Sequence, residues 1–250
     1  MLQHWILLIA AAFAAGTLNA IAGGGSFLTF PALVFTGLPP IVANATSAVA
    51  VSPGYLGSAL GFRAELSALP RERLVREGLL CAVGGVGGAL LLLVTPAKVF
   101  SAVVPWLLLF ATVLFALGPR LLAARQRRGA GEFHPLAQSL GLLAVAVYGG
   151  YFNGGLGILL MALYTLTGES RVHTANALKN LNSLVLSLLS VAAFAWAGAI
   201  AWPQALVMMV AATLGGFAGA RLARRLPAAG VRAVVVVTGV VMAAAFFARG

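Results

Sequence analysis

Long apolar segments alternate with short polar breaks along the whole chain. No segment alternates apolar and polar residues with a period of two, and most are as long as membrane helices, which predicts α-helices rather than strands of an outer-membrane barrel. The pattern therefore predicts an all-α integral membrane protein, with apolar segments near residues 5–22, 26–37, 41–62, 74–95, 99–118, 136–152, 157–168, 172–197, 203–220 and 231–248.

The composition agrees with a membrane location. Of 250 residues, 61% are hydrophobic and only 8% are charged, whereas soluble domains carry about 25% charged residues. The net charge of +11 would suggest a nucleic-acid partner in a soluble protein. Here the arginines gather in the breaks, as cytoplasmic loops of membrane proteins require. We therefore expect a lipid bilayer, and no nucleic acid, as a partner.

The two halves of the chain carry the same motifs in the same order. Ala43-Asn-Ala45 corresponds to Ala175-Asn-Ala177 at an offset of 132 residues, and Gly84-Gly85 corresponds to Gly215-Gly216 at an offset of 131. Ordered matches at near-constant spacing indicate an internal duplication. We predict a first membrane repeat at residues 1–118, a cytoplasmic linker at 119–135 and a second membrane repeat at 136–250.

The loop charges indicate how the repeats cross the membrane. If residues 5–37 and 136–168 each cross once, Lys and Arg divide nine to six between the two sides; if each enters and returns as a hairpin, they divide thirteen to two. The positive-inside rule favours the hairpins. This topology has two inverted repeats, each with a broken re-entrant hairpin and three transmembrane helices, and both termini outside. Tilted full crossings, which give eight membrane helices, remain the alternative.

Glycine clusters mark the two breaks. One comprises Gly23, Gly24 and Gly25 before Ser26, with Asn19 upstream; the other comprises Gly154 and Gly155 after Asn153. Irregular backbone inside a membrane is tolerated only where it is buried in protein or lines a water-filled cavity. We interpret the clusters as helix breaks that meet near the midplane, where half-helix N-termini attract anions. For Gly84, Gly85 and Gly88 we favour close helix packing instead.

Lys179 is the one cation well inside an apolar segment. An ionisable residue within the membrane indicates a functional site, and a lysine that snorkels to the surface is the alternative. Its counterpart in the first half is Ser47, at an offset of 132 residues. We predict that the substrate path is lined by the two breaks and by polar residues of these two helices, namely Thr46, Ser47, Asn176, Lys179 and Asn180.

Four stretches together resemble one known family. Ala22-Gly-Gly-Gly-Ser-Phe-Leu-Thr-Phe-Pro31 and Thr36-Gly-Leu-Pro-Pro-Ile-Val-Ala-Asn-Ala-Thr-Ser47 resemble the first half of the TauE/SafE sulfite exporter family, within the toluene sulfonate uptake permease superfamily. Gly149-Gly-Tyr-Phe-Asn-Gly-Gly-Leu-Gly157 and Ala175-Asn-Ala-Leu-Lys-Asn180 are similar to its second half. The resemblance covers nearly the whole chain. It implies a bacterial inner-membrane transporter of small sulfur-containing anions, such as sulfite, sulfoacetate or other organosulfonates.

We therefore expect a secondary transporter that binds its anion between the half-helix N-termini, since the sequence has no phosphate-binding loop. A passive anion channel and a non-transporting membrane scaffold remain alternatives. We expect no enzyme activity, cofactor or metal site, because the histidines are far apart, cysteine is single and the carboxylates are assigned to loops. The assembly is left open between a monomer and a homodimer.

Overall fold

The computed structural model describes residues 2–127, 134–169, 171–222 and 228–248. Within these ranges the regular structure consists of α-helices alone, which confirms the all-α prediction. The helices are α1 (Leu2–Ala22), α2 (Ser26–Phe35), α3 (Pro40–Gly61), α4 (Arg63–Ser67), α5 (Arg71–Val94), α6 (Ala97–Arg127), α7 (Pro135–Tyr151), α8 (Leu156–Leu166), α9 (Val172–Trp196), α10 (Trp202–Leu222) and α11 (Ala228–Phe247).

Several helices have the length and hydropathy of membrane spans. Within the described residues, four stretches are long and apolar enough to cross a membrane, namely Leu2–Ala20, Arg71–Val94, Ala97–Leu114 and Val172–Trp196. Large apolar side chains such as Leu79, Val83 and Phe217 are exposed on the outer faces. Lipid is the solvent in which such faces are stable. The protein is therefore a multi-pass membrane protein, and its number of crossings stays a prediction.

The second arm of each broken segment is short. Helix α2 has 10 residues and α8 has 11, so they extend about 15 to 17 Å. A hydrocarbon core of about 30 Å is too thick for either arm to cross alone. Both arms begin at the glycine clusters, where the sequence predicts the breaks.

Helix α6 is longer than the sequence predicts. It continues through Arg127, beyond the predicted end at residue 118, and α7 begins at Pro135. Helical structure therefore extends into the predicted linker at residues 119–135. Residues 128–133 of that linker lie outside the described residues. The division into two repeats joined by a cytoplasmic linker stays a prediction.

The two halves interlock. Helix α1 packs mainly on α10 and α7 packs mainly on α5, while α3 lies against α9 and α6 lies against α11. Glycines make these contacts close: a β-carbon on Gly16 would overlap the carbonyl oxygen of Ala212, and one on Gly88 would overlap the carbonyl oxygen of Val147. Small residues let membrane helices approach to backbone contact. The packing interpretation of the α5 glycines is thereby confirmed.

Candidate functional site

Each glycine break contains one residue with a left-handed backbone. Gly23 follows the end of α1 with φ +80°, and Gly155 precedes α8 with φ +81°. A side chain in this conformation costs about 1 to 2 kcal/mol, because the β-carbon crowds the carbonyl oxygen. Glycine therefore fixes the sharp turn that separates the two helices at both breaks.

The two breaks touch each other. A β-carbon on Gly157, in the first turn of α8, would lie 2.8 Å from the carbonyl oxygen of Gly23. A β-carbon on Gly23 would in turn lie 3.6 Å from the Cα atom of Gly157. Two backbones approach this closely only where neither residue has a side chain. The start of α8 is thus held directly against the end of α1.

Lys179 reaches this contact from α9. A β-carbon on Gly23 would lie 3.6 Å from the Lys179 Nζ atom, and the Lys179 residue is only 8% exposed. The ion pairs among the described residues all use arginine, and none uses this lysine. A buried cation without a counter-charge is costly, by several kcal/mol. Its burial is contrary to a side chain that snorkels to the protein surface, and it leaves a positive charge available beside the breaks.

Packing explains part of the first break. A β-carbon on Gly25 would lie 2.7 Å from the carbonyl oxygen of Ala15, so glycine lets α2 fold back along α1. Asn19 is half-buried in the last turn of α1, and its Nδ2 atom lies 3.3 Å from the β-carbon position of Gly54 in α3. Asn19 and Gly25 therefore join α1 to its neighbours. Two further predicted residues of this break, Gly24 and Ser26, are buried.

Two side chains that the site prediction omits hold the second break. Asn44 of α3 donates from Nδ2 to the carbonyl oxygen of Tyr151 at 3.2 Å, and its Oδ1 accepts from the backbone N–H of Asn153 at 3.3 Å. The hydroxyl of Tyr148 donates to the carbonyl oxygen of Gly154 at 2.7 Å. The backbone on both sides of Asn153 is thus fixed by side chains from two helices.

The Asn153 side chain is buried without a partner. It is 4% exposed, and neither its Oδ1 nor its Nδ2 atom has a hydrogen bond within the described residues. An unsatisfied buried amide costs about 1 to 3 kcal/mol. Asn19, its expected counterpart, lies inside a helix, whereas Asn153 lies in the break itself. The match between these two asparagines in the sequence is therefore not a match of structural positions.

Two predicted residues of α3 already have partners. The Ser47 hydroxyl, the counterpart of Lys179, shares a hydrogen bond of 2.6 Å with Thr29 of α2. The Thr46 hydroxyl accepts from the backbone N–H of Ala201 at 3.0 Å, just before α10. Both residues are fully buried. These contacts join α3 to its neighbours, so the two counterparts Ser47 and Lys179 have different surroundings.

The predicted polar residues of α9 divide in the same way. Asn176 is half-buried and donates to the carbonyl oxygen of Val172 in its own helix, at 3.1 Å. Asn180 is buried directly after Lys179. Helix α9 thus brings Asn180 and Lys179 into the protein interior together, while Asn176 has a local partner.

A buried acidic cluster is absent from the sequence prediction. Glu77 lies in α5 and is 2% exposed, so the assignment of all carboxylates to loops is wrong for this residue. Its carboxylate accepts from Arg73 Nε at 2.9 Å, from the Tyr164 hydroxyl at 2.7 Å and from Asn182 Nδ2 at 3.1 Å. The spacing of Arg73 and Glu77, four residues apart at the start of an apolar segment, is the signal that could have indicated it.

The fold and the site together define a class: a multi-pass α-helical membrane protein in which two broken helices meet beside a buried cation. The comparison with protein families names it. Residues 8–246 match the model of the family described as sulfite exporter TauE/SafE, and the chain belongs to this family. The resemblance seen in the motifs is thereby confirmed.

Several curated relatives extend over most of the chain. The probable membrane transporter protein YfcA of Escherichia coli strain K12 is 31% identical over 242 residues, which cover 93% of this chain and 86% of the relative. The probable membrane transporter protein ORF9 of Sinorhizobium sp is 29% identical, with 94% and 89% covered. A probable membrane transporter protein of Haemophilus influenzae is 30% identical, with 95% and 92% covered. No solved structure matches the chain. These names describe transporters, in agreement with the prediction that the chain is not an enzyme.

Proposed function

We propose that the protein is a secondary transporter of small sulfur-containing anions, such as sulfite, sulfoacetate and other organosulfonates, in a bacterial inner membrane. The observation that carries this proposal is the position of the Lys179 Nζ atom beside Gly23, where the two glycine breaks touch. Family membership and the names of the relatives support a membrane transporter. The substrate class follows from the family description and from the charge of the site.

The electrostatics of the breaks suit an oxyanion. The first N–H groups of α2 and α8 have no carbonyl partner within their own helices, and each N-terminus carries about half a positive charge. Lys179 adds a full charge, and the Nδ2 atom of Asn153 is a buried donor without an acceptor. A sulfite or sulfonate group presents several oxygen acceptors to such donors, so the anion would bind between the half-helix N-termini.

The burial of the site favours a carrier. Lys179, Asn153 and Ser26 are all buried, whereas an open channel requires a continuous wet path along its polar residues. In a carrier the site opens to one side at a time, as the two halves move about it. The equivalent packing of α1 on α10 and of α7 on α5 supports two structural repeats, which we propose to be inverted.

The binding test compares the chain's two lysines. The purified protein is heated in detergent with sulfite, sulfate, thiosulfate, sulfoacetate or simple carboxylates. A ligand at 100 times its Kd stabilises the folded state by about 2.7 kcal/mol. We expect a sulfur anion to raise the melting temperature of the wild type and of Lys98→Met, whose lysine is exposed, but not that of Lys179→Met. An equal shift in Lys179→Met would remove this lysine from the site.

Flux through liposomes separates a carrier from a channel. Labelled sulfite enters proteoliposomes that contain either unlabelled sulfite or buffer alone. A carrier exchanges label for internal substrate and saturates, so preloading accelerates uptake. Flux that rises in proportion to concentration and ignores preloading would favour the passive channel, and no flux above protein-free liposomes would favour the scaffold.

A further inference from the structure

The carboxylate of Glu77 joins the two halves of the protein at one point. Arg73 and Glu77 belong to α5, whereas Tyr164 belongs to α8 and Asn182 to α9. All the side-chain hydrogen bonds between these elements end on this carboxylate or involve its partners, and Arg73 also donates from Nη1 to Glu169 at 3.2 Å. A change in the charge of Glu77 therefore acts on three helices at once.

The fold does not require polar residues at this place. At the offsets of the internal repeat, Glu77 corresponds to Met208, Asn182 to Ala50 and Tyr164 to Val34. These three counterparts pack together with the main apolar cluster of the protein. Replacing a buried ion pair by well-packed apolar residues is often neutral or stabilising. The cluster around Glu77 thus calls for an explanation other than stability.

The surroundings of Glu77 allow it to bind a proton. Two carboxylates, Glu77 and Glu169, share the Arg73 guanidinium, so Arg73 keeps one partner if Glu77 becomes neutral. A protonated carboxyl group is a donor, and the Oδ1 atom of Asn182 is buried without a hydrogen bond in the described residues. Rotation of the Asn182 amide would bring that acceptor to the new O–H group.

We propose that Glu77 binds a proton during the transport cycle, and that its cluster is a gate between α5 and the α8–α9 pair. Water on the Arg-rich side supplies the proton, an O–H bond forms on Glu77, and the ionic contact with Arg73 is lost. The inference rests on the proposed transport function. Asn182 lies one helical turn beyond Lys179 on α9, so opening the gate moves the helix that carries the substrate-site cation.

No other ionisable group is needed for this switch. The titratable and charged groups that face Glu77 within the described residues are Arg73 and Cys81 of α5 and Tyr164 of α8, with Glu169 behind Arg73. Helix α7, which also packs on α5, contributes no acidic or basic side chain to the cluster. Arg171 contacts Glu169 from the exposed side.

The test uses the chain's single cysteine. Cys81 is fully buried one turn beyond Glu77 and packs in the same cluster as Tyr164. Protein in lipid nanodiscs reacts with N-ethylmaleimide between about pH 8 and about pH 5, a range that spans carboxylate titration in buried sites. Each rate is divided by that of the detergent-unfolded protein at the same pH, because thiolate content also changes with pH.

We expect the normalised labelling of the wild type to rise about tenfold as the pH falls, a change of ~1.4 kcal/mol in the opening equilibrium. Glu77→Gln should label at the fast rate at every pH. Glu169→Gln, which leaves the Glu77 carboxylate in place, should keep the pH dependence. A wild-type rate that does not change with pH, or an unchanged pH dependence in Glu77→Gln, would overturn the proposal.

Two further measurements separate instability and the transport function from the gate. Thermal unfolding of Glu77→Gln identifies a general loss of structure, and in that case Tyr164→Phe, which removes one contact and keeps the charge, should retain a pH-dependent rate. Cysteine labelling needs no substrate. The gate can therefore fail while the Lys179 site binds its anion, and anion binding can fail while labelling still depends on pH.

Discussion

The Lys179 Nζ atom lies beside Gly23, the residue with a left-handed backbone at the end of α1. The charge and the break are therefore one structural unit. We predict that Gly23→Ala abolishes anion-dependent stabilisation, because the added methyl group would occupy the space 3.6 Å from the nitrogen. The substitution should also destabilise the fold by about 1 to 2 kcal/mol, since φ is +80°. Thermal melts with and without anion measure both effects.

Gly37 provides the matched control for this backbone strain. It has φ +96° in the turn after α2, and a β-carbon there would meet no atom within 4 Å. Gly37→Ala should lose a similar amount of stability and keep its response to the anion. If both variants respond to the anion as the wild type does, the Gly23 side of the site is not where the anion binds.

Asn44 should contribute more to stability than its counterpart in the second half. Its side chain makes two buried hydrogen bonds to the break between α7 and α8, whereas Asn176 bonds only within its own helix. We predict that Asn44→Ala lowers the free energy of unfolding by about 1 to 3 kcal/mol, because two backbone groups lose their partner. Asn176→Ala should cost well under half as much. Equal losses in denaturant titration would contradict this assignment.

The helices and their breaks were predictable because they rest on local pattern. Long apolar segments, polar loops and glycine clusters specify where helices begin and end. Lys179 stood out because a lone cation in an apolar segment has no ordinary explanation. The end of α6 was placed too early, since polar residues after 118 do not by themselves end a helix.

The supporting contacts were not predictable because their partners are distant in sequence. Asn44 binds a backbone group 107 residues away, and Glu77 meets Asn182 across 105 residues. Glu77 looked like a loop residue because it follows several arginines. Helix α5 begins at Arg71, before the apolar segment does, and this places Glu77 inside a buried helix.

Close packing of α5 on α7 should depend on one glycine of a pair. A β-carbon on Gly88 would overlap the Val147 carbonyl oxygen, whereas one on Gly87 would meet nothing within 4 Å. We predict that Gly88→Ala destabilises the protein severely, by about 3 kcal/mol or more, as overpacked contacts do. Gly87→Ala should be neutral or stabilising by up to about 1 kcal/mol, because alanine favours the helix. Melting temperatures that fall equally would show that α5 and α7 do not approach this closely.

The re-entrant hairpins can be tested by the side of the membrane that three surface positions face. In the hairpin topology Pro39 and Lys98 lie outside and Arg171 lies inside, whereas single full crossings place all three on one side. All three residues are exposed. Each is replaced by cysteine, as Pro39→Cys, Lys98→Cys or Arg171→Cys, in a chain that also carries Cys81→Ala, which removes the native thiol.

Intact cells are then treated with a maleimide that cannot cross the inner membrane. We expect Pro39→Cys and Lys98→Cys to react at once, and Arg171→Cys to react only after the membrane is permeabilised, because thirteen of the sixteen Lys and Arg residues would then lie inside. Reaction of Arg171→Cys in intact cells, at the rate of Lys98→Cys, would favour tilted full crossings. In that case α8 would complete a crossing begun by α7, and the glycine breaks would be kinks within a continuous span.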